Sequence, residues 1–259
     1  MRLLAIDTAL PAVSACVFDS GASEPLAVES QPMERGHAEA LLPLVERVVS
    51  SVEGGLASID RIAVTVGPGS FTGVRIGLAA AQAIALARKI ELVGVSTLAA
   101  LAAPNFLEPF EGVVAAAIDA RHGQVYVAAF GPDGRLLVSP RRVGVAEALR
   151  ALGDCHAGPE EVERRPLRLV GSGAPLLEAQ ARASGLVAVL ANASPAPDIT
   201  FVARLGIVAN ASDAPARPLY LKPPDAKPAA KRSVIQETAP EPPEAAEENS
   251  ASEAPAESA

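Results

Sequence analysis

The sequence predicts an α/β fold in which mixed β-sheets are flanked by helices. Short apolar runs bounded by turn residues are typical of strands, and they occur in both halves of the chain. Longer stretches with apolar residues at helical spacing lie between them. Of the 259 residues, 49% are apolar and only 3% are aromatic, so the chain can bury a sizeable core built mainly from Ala, Val, Leu and Ile.

The first half begins with a continuous apolar run at Leu3, which is typical of a buried strand. Two further strands separated by turns make a meander, and Leu41, Leu44 and Val45 then repeat at helical spacing. The glycine-rich turn GPGSFTG precedes a second helix. In chain order, three strands, a helix, a strand, a helix and a strand are predicted at residues 3–6, 13–18, 25–30, 37–51, 61–66, 74–89 and 92–95. This order resembles the ribonuclease-H-like unit.

The second half opens in a similar way. AIDTALPAVSACVFDSG at the start of the chain and AIDARHGQVYVAAFGPDG share an Ala-Ile-Asp, a turn and an apolar strand, 112 residues apart. The similarity indicates either an internal repeat or a coincidence between two hairpins. Strands are predicted at 112–118, 124–130, 135–139 and 167–170, and helices at 175–184 and 199–209. Asp198 is suited to cap the last helix.

The net charge of −8 is concentrated at the C-terminus. Residues 237–259 contain seven Glu and no Lys or Arg, so the rest of the chain, with 23 acidic and 22 basic residues, is nearly neutral. This balance does not favour nucleic-acid binding by the protein alone. Residues 222–259 are rich in Pro, Ala, Glu and Ser, and we expect them to be disordered.

Several other classes of protein are disfavoured. Two cysteines are too few for a disulfide scaffold. No stretch approaches the ~18 apolar residues of a membrane span, and Asp7 interrupts the apolar run that begins at Leu3, so no signal peptide is expected. We therefore expect a cytoplasmic protein that does not bind membranes.

Two segments could contact an anion or a nucleotide. Asp7 and Thr8 end the first strand, where a carboxylate could hold Mg²⁺ beside a phosphate, although Asp7 could equally cap a turn. Asp119 has the same two interpretations. In the glycine-rich segment, Gly69, Ser70 and Thr72 precede a helix and Arg75 supplies a cation. Val74 stands where a P-loop needs Lys, so a tight turn with a hydroxyl cap is the competing interpretation.

The helices themselves carry weak signals for metal or partner binding. His37 opens the first helix, but position i+4 is Leu41, so the helical pair of zinc-binding histidines is incomplete and no metal site is expected. The second helix has small residues at helical spacing, which suit close packing either on the chain's own sheet or on another helix. These small residues are Gly73, Gly77, Ala80, Ala81 and Ala85.

Six segments together give the chain a family resemblance. They are MRLLAIDTA, RGHAEALLPLVERVV, VTVGPGSFTGVRIGLAAAQAIAL, VGVSTLAALA, AAIDARHGQVYVAAF and PLYLKPPDAKP. Over residues 1–228 the sequence resembles the bacterial TsaB (YeaZ) family. The resemblance implies the actin-like ATPase-domain (ASKHA) fold with two ribonuclease-H-like lobes. We expect lobes at 1–108 and 109–197, a closing helical segment at 198–221 and the tail at 222–259.

The resemblance also implies a function in making N6-threonylcarbamoyladenosine at adenosine 37 of tRNAs that read codons beginning with A. In that system TsaC makes threonylcarbamoyl-AMP, TsaD transfers the threonylcarbamoyl group, and TsaE is an ATPase that joins TsaB and TsaD. TsaD-type proteins carry a metal-binding His-x-x-x-His, of which this chain has only His37. We therefore expect a non-catalytic subunit with no cofactor of its own, in a complex that uses ATP and Mg²⁺.

The expected partners are TsaD in a heterodimer, TsaE, a second copy when the chain is alone, and tRNA only through the complex. An ATP-binding phosphotransferase using Asp7, Asp119 and the Gly-Ser-Gly at 171–173 is the alternative, and a metal-dependent peptidase is disfavoured by the missing ligand. The two first-lobe helices are predicted to form the partner surface through His37, Leu41, Leu44, Val45, Val74, Gly77, Leu78, Ala81 and Ala85.

Overall fold

A computed structural model describes residues 1–156 and 166–221. The first five strands form one mixed sheet in the order β3-β2-β1-β4-β5. β1 pairs antiparallel with β2 and parallel with β4, so the buried run at the N-terminus lies at the centre. The strands are β1 (Arg2–Asp7), β2 (Ala12–Asp19), β3 (Ala27–Pro32), β4 (Arg61–Thr65) and β5 (Glu91–Val95). The predicted meander is confirmed.

A second sheet repeats this arrangement. Its order is β10-β9-β6-β7-β8, and β6 pairs antiparallel with β7 and parallel with β9. The strands are β6 (Val113–Asp119), β7 (Gln124–Phe130), β8 (Leu136–Gly144), β9 (Leu167–Val170) and β10 (Ala188–Asn192). Each central strand ends in the Asp of an Ala-Ile-Asp, so the sequence similarity reflects a structural repeat.

Within the described residues, six α-helices cover the sheets: α1 (His37–Ser50), α2 (Phe71–Arg88), α3 (Thr97–Ala102), α4 (Val145–His156), α5 (Ala174–Ala183) and α6 (Ile199–Val208). α1 and α2 lie on one face of the first sheet and α6 on the other. α4 and α5 cover the second sheet, while α3 packs on its opposite face against β6 and β7. Thus α3 follows the last strand of the first sheet but packs on the second sheet, and α6 follows the last strand of the second sheet but packs on the first.

Several boundaries differ from the prediction. α2 begins at Phe71, inside the predicted turn, because the Ser70 hydroxyl caps the helix and accepts a hydrogen bond from Gly73 N–H at 3.2 Å. α3, α4 and β10 were not predicted, and β8 runs on to Gly144. Asp198 caps α6 as expected, accepting from Thr200 N–H at 2.9 Å.

The domain boundaries stay predictions. The two sheets lie within residues 2–95 and 113–192, and the expected tail at 222–259 lies outside the described residues. In the part of the chain that the structure describes, no helix is long and apolar enough to cross a membrane.

Candidate functional site

A cleft of about 770 Å³ opens where the turns that follow the two Ala-Ile-Asp triplets approach the N-terminal ends of α1 and α2. Helix N-termini present free N–H groups and favour negative charge, and two of them meet here. The cleft is lined by Ala9, Leu10, Pro11, Glu34, Arg35, Gly36, His37, Ala38, Glu39, Gly69, Ser70, Thr72, Gly73, Ile76, Ile118, Asp119, Ala120, Arg121 and Tyr126.

The glycine-rich segment forms the wall of the cleft next to α2. Ser70 N–H donates to the carbonyl oxygen of Ala9 at 2.7 Å. A Cβ atom at Gly69 would overlap that same carbonyl, and one at Gly73 would overlap the carbonyl of Thr8. These glycines therefore let the backbone of α2 contact the β1–β2 turn closely, which supports the tight-turn interpretation. Anion binding by Gly69, Ser70 and Thr72 stays a prediction, although all three line the cleft.

Asp7 lies behind the cleft wall and is fully buried. Its Oδ1 accepts from Ala9 N–H at 2.9 Å and from the Thr65 hydroxyl at 2.5 Å, while Oδ2 has no hydrogen-bond partner. Burial raises the pKa of this carboxyl above its usual value, against the opposing effects of the Thr65 and Ala9 hydrogen bonds and the charge of His37. The carboxyl is thus held as part of the core, as the turn-cap interpretation expects.

Thr8 is also fully buried, and its hydroxyl donates to the carbonyl oxygen of Gly73 at 2.7 Å. This bond joins the β1–β2 turn to α2. The Thr8 hydroxyl, one of the groups that could contact an anion, therefore already has a partner within the chain.

Asp119, the counterpart of Asp7 in the repeat, is only half-buried and lines the cleft. Its Oδ1 accepts from Arg121 N–H at 2.8 Å, and its Oδ2 lies 3.7 Å from the Arg121 guanidinium. Its own N–H donates to the hydroxyl of Ser172, in the Gly-Ser-Gly at 171–173. The two repeated aspartates thus have different environments, one enclosed and one open to the cleft.

Arg75, the cation expected near the turn, forms an aromatic cluster outside the cleft lining. Its guanidinium carbon lies 3.7 Å from the ring centre of Phe71, and its Nε donates to the Tyr220 hydroxyl at 2.8 Å. The two rings are 5.5 Å apart. The cluster ties the closing segment to the start of α2, and Leu219 N–H donates to the Val66 carbonyl beside it.

The side chains predicted to contact a partner lie mostly in the chain's own core. His37 is half-buried at the cleft, with Nε2 3.1 Å from the Leu10 carbonyl oxygen. The other predicted residues are buried: Leu41, Leu44, Val45, Val74, Gly77, Leu78, Ala81 and Ala85. Their packing satisfies the small-residue pattern within the chain, which corrects the choice of residues. That the helix pair meets a partner stays a prediction, for which only the opposite faces of the helices are available.

The sequence prediction missed residues both in the cleft and on the outer faces of α1 and α2. Arg35, Arg121 and Tyr126 line the cleft, and Arg121 could have been found from its position in the repeated turn. Leu42 and Leu86 are 57% and 81% exposed on the outer faces of α1 and α2. In residues 1–156 and 166–221, no three His, Cys, Asp or Glu side chains gather in a group that could hold a metal ion.

Comparisons with known proteins place this geometry in a family. Residues 31–212 match the family described as TsaD, tRNA N6-adenosine threonylcarbamoyltransferase. The chain is 39% identical over 133 residues to the tRNA threonylcarbamoyladenosine biosynthesis protein TsaB of Escherichia coli, covering 51% of this chain and 56% of that protein. It is 34% identical over 230 residues to an uncharacterized protein of Mycobacterium tuberculosis, a match that covers 88% of this chain and 95% of that protein.

Among solved structures, YeaZ from Pseudomonas aeruginosa superposes with a TM-score of 0.65 at 29% identity, covering 85% of this chain and 99% of that one. The matches to curated TsaB proteins span only about half of those relatives, between 52% and 58% of the first three. The structural match to YeaZ therefore covers a larger share of this chain than the sequence matches to those curated TsaB proteins do.

Proposed function

The chain belongs to the TsaB (YeaZ) family, and we propose from this premise that it is the non-catalytic partner of TsaD in making N6-threonylcarbamoyladenosine at adenosine 37 of tRNAs. The tRNAs concerned read codons beginning with A. The names of its relatives and the extent of the family match support this role. The structural observation that carries it is an exposed apolar surface on α1 and α2.

This surface, the pairing face, consists of Leu42 on α1 and Phe71, Ala79, Ala83 and Leu86 on α2. Ala79, Ala83 and Leu86 follow at spacings of four and three, and Phe71 lies eight positions before Ala79, so the four form one stripe along the helix. α1 and α2 contact each other, so Leu42 and this stripe lie on neighbouring helices. Solvent-exposed leucine and phenylalanine side chains grouped in this way are typical of a protein–protein interface.

Charges around the pairing face suit a second copy of the chain. α2 contains Arg75 and Arg88 and no Asp or Glu, whereas the outer side of α1 presents Glu39 and Glu46, beside Arg47, which forms a salt bridge with Glu29. In a twofold dimer, α1 of one copy can lie against α2 of the other, so that opposite charges meet around an apolar centre. The same face serves TsaD, and the homodimer and heterodimer therefore compete for it.

Two observations favour a scaffold over an enzyme. Asp7 is enclosed by Ala9 and Thr65 and is not among the residues that line the cleft. Leu41, which occupies the second position of the TsaD-type histidine pair, is 1% exposed and packs in the core. We infer that the chain has no cofactor of its own and that ATP and Mg²⁺ are used by the complex, in which TsaE joins the pair. We also infer that tRNA is bound only through the complex and that the protein is cytoplasmic.

The alternative function is an ATP-binding phosphotransferase. The cleft supports it, because Asp119, Ser70 and Thr72 line a space large enough for a nucleotide. Phosphoryl transfer also needs a positioned metal and cations around the phosphates. Binding of Mg-ATP measured by calorimetry, together with ATP hydrolysis by the isolated chain, separates the two functions, since a scaffold shows little turnover.

The test of the scaffold proposal is Leu86→Glu, with Leu107→Glu as the matched control. Both leucines are exposed, at 81% and 63%, but Leu107 lies outside the pairing face. A charge buried without a partner at an interface costs about 3 kcal/mol, or ~100-fold in affinity. We expect Leu86→Glu to weaken homodimerisation and TsaD binding by about this factor, and Leu107→Glu to leave both unchanged.

The activity test adds the chain to TsaD, TsaE, threonylcarbamoyl-AMP, Mg-ATP and tRNA, and measures modified adenosine. The wild-type chain should switch modification on, and Leu86→Glu should not. If Leu86→Glu binds TsaD with native affinity, the pairing face is wrong. If Asp7→Ala abolishes activity while fold and TsaD binding persist, Asp7 is catalytic and the enzyme alternative is favoured.

A further inference from the structure

Phe71, Arg75 and Tyr220 form a cluster of exposed side chains beside the pairing face. Phe71 belongs to that face, whereas Tyr220 comes from the closing segment, 145 residues after Arg75. The Arg75 guanidinium carbon lies 3.7 Å from the ring centre of Phe71 and 5.7 Å from that of Tyr220. The Tyr220 hydroxyl also accepts a hydrogen bond from Arg75 Nε at 2.8 Å. Phe71 and Tyr220 are 57% and 50% exposed, so the cluster is open to a second chain.

The closing segment that carries Tyr220 is fixed to the first sheet and to α2. Leu219 N–H, directly before Tyr220, donates to the carbonyl oxygen of Val66 at 2.8 Å. Two further hydrogen bonds join this segment to β5 and to α2. Tyr220 therefore has a defined position relative to α2, and its ring and hydroxyl restrict the positions of Phe71 and Arg75.

The guanidinium of Arg75 keeps its terminal nitrogens available to another group. Across the two described ranges Arg75 has no ion pair, and Nε is the only one of its side-chain nitrogens with a hydrogen-bond partner. An arginine side chain has five N–H donors in a planar fork, whose terminal nitrogens match the two oxygens of a carboxylate. The open end of the cluster therefore suits a carboxylate from another chain.

A second copy of the chain offers such carboxylates. On α1, the exposed residues Glu39, Leu42 and Glu46 follow at spacings of three and four, so they form one stripe. Neither glutamate has an ion pair in the described part of the chain. In the twofold dimer proposed above, α1 of the second copy lies against α2, which brings this stripe to the helix that carries Arg75.

We infer that Tyr220 is a positioning residue for pairing, which holds Arg75 in place to receive a carboxylate from α1 of a second copy. The inference rests on the proposed function, because it takes the pairing face as the place where two copies meet. Immobilising a long side chain at an interface costs conformational entropy. Stacking on Phe71 and the hydrogen bond to Tyr220 already restrict Arg75 in the single chain, so less entropy is lost on pairing.

The closing segment is therefore part of the pairing surface. Aromatic and arginine side chains are enriched among the few residues that contribute most of the binding energy of an interface. The cluster supplies both kinds of side chain at one end of the apolar stripe on α2. Because Tyr220 lies far from α2 in the sequence, this part of the surface exists only when the closing segment is in place.

Sedimentation of the full chain tests the role of Tyr220. Tyr220→Ala should weaken homodimerisation by about tenfold, because it removes both the ring and the hydroxyl. Tyr220→Phe should weaken it by less, because the ring against Phe71 remains. Val208→Ala is the matched control, since Val208 is 78% exposed on α6, which covers the opposite face of the first sheet, and it should associate as wild type does. All three variants should keep the melting temperature of wild type closely, because the substituted residues are exposed.

A double-mutant cycle tests the carboxylate. Arg75→Gln should weaken homodimerisation by about fivefold in the otherwise wild-type chain. In a chain that carries Glu39→Gln and Glu46→Gln, the same substitution should have a much smaller effect, because the carboxylates that Arg75 receives are gone. Its effect should also be smaller in a Tyr220→Phe background, in which the guanidinium is no longer held. If Tyr220 acted only on the stability of the fold, the effect of Arg75→Gln would be the same with and without the hydroxyl.

Two results would overturn the inference while leaving the pairing face intact. One is association of Tyr220→Ala as strong as that of Val208→Ala, although Leu86→Glu is weakened. The other is an equal effect of Arg75→Gln in all three backgrounds, a comparison that still decides if Tyr220→Ala fails to fold. If the wild-type chain stays monomeric, or if Leu86→Glu pairs as wild type does, the pairing face itself is wrong and the inference fails with the proposed function.

Discussion

Replacing Asp7 by asparagine or by alanine should separate its charge from its hydrogen bonds. Asp7→Asn keeps an oxygen that can accept hydrogen bonds from Ala9 N–H and the Thr65 hydroxyl. In the wild-type chain Oδ1 accepts both of these bonds. Asp7→Ala leaves both donors buried without an acceptor. An unsatisfied buried polar group costs about 1–3 kcal/mol. The two variants should therefore differ strongly in stability although both remove the charge.

The expected magnitude follows from these two bonds. For Asp7→Ala we expect a loss of about 2–4 kcal/mol in the free energy of unfolding. At about 2–4 °C per kcal/mol for a chain of this size, the melting temperature should fall by roughly 5–15 °C. Asp7→Asn should lose less stability than Asp7→Ala, because it keeps an acceptor for both bonds, although its amide N–H groups take the place of Oδ2, which has no hydrogen-bond partner.

The pH dependence gives a second, independent measurement. Burial holds the pKa of Asp7 above 3.8 in the folded chain, so the folded chain keeps this proton over a pH range in which the unfolded chain has lost it. Stability contributed by this group is fully present below pH 3.8 and declines as pH rises towards the folded-state pKa. Asparagine does not titrate, so the melting temperature of Asp7→Asn minus that of wild type should increase with pH.

Thermal unfolding of wild type, Asp7→Asn and Asp7→Ala across a pH series is the assay. The same comparison in a His37→Gln background removes the nearby group whose charge lowers the pKa of Asp7. The reasoning is refuted if Asp7→Asn loses as much stability as Asp7→Ala. It is equally refuted if the difference between wild type and Asp7→Asn shrinks as pH rises.

Three further predictions test the packing. Gly77→Ala should lower the free energy of unfolding by about 1–2 kcal/mol, and with it the melting temperature, because a Cβ atom would lie 2.5 Å from the Thr8 hydroxyl oxygen. Helix propensity alone predicts a rise in melting temperature, and such a rise would contradict this close approach. Leu41→His should restore the His-x-x-x-His pattern, yet it should destabilise the folded chain by about 3 kcal/mol and bind no zinc, because the side chain points into the core. Zinc-dependent stabilisation in a thermal-shift assay would disprove this prediction. A thiol reagent at pH 8 should reach Cys155 before Cys16, since burial raises the pKa of Cys16 to about 12; equal rates in the native protein would show that Cys16 is accessible.

Much of the fold follows from local pattern. β7 and β9 have the predicted bounds, and the continuous apolar run at the N-terminus forms the central strand. The missed elements were short or weakly patterned: α3 has six residues and β10 has five. Segments of this length are decided by the sheet on which they pack, because their own periodicity spans too few residues to indicate a helix or a strand.

The candidate site was predicted less completely. The glycine-rich segment at 67–73 was predicted as a turn, but its last three residues are the start of α2, and Gly69, Ser70, Thr72 and Gly73 line the cleft. The enclosure of Asp7 and the openness of Asp119 could not be read from two identical Ala-Ile-Asp triplets. That difference depends on which side chains surround each turn, and those come from distant parts of the chain.

The sequence by itself determined the order of the first seven strands and helices and the family, because apolar periodicity, turn residues and motif order are local properties of the chain. Only the tertiary structure decided which face of α1 and α2 is free. Helical periodicity identifies an apolar stripe on a helix. The apolar residues have the same spacing whether the stripe packs on the chain's own sheet or binds another chain. Leu41 and Ala81 proved to be core, whereas Leu42 and Leu86 face outward, since the position of the first sheet sets the buried side.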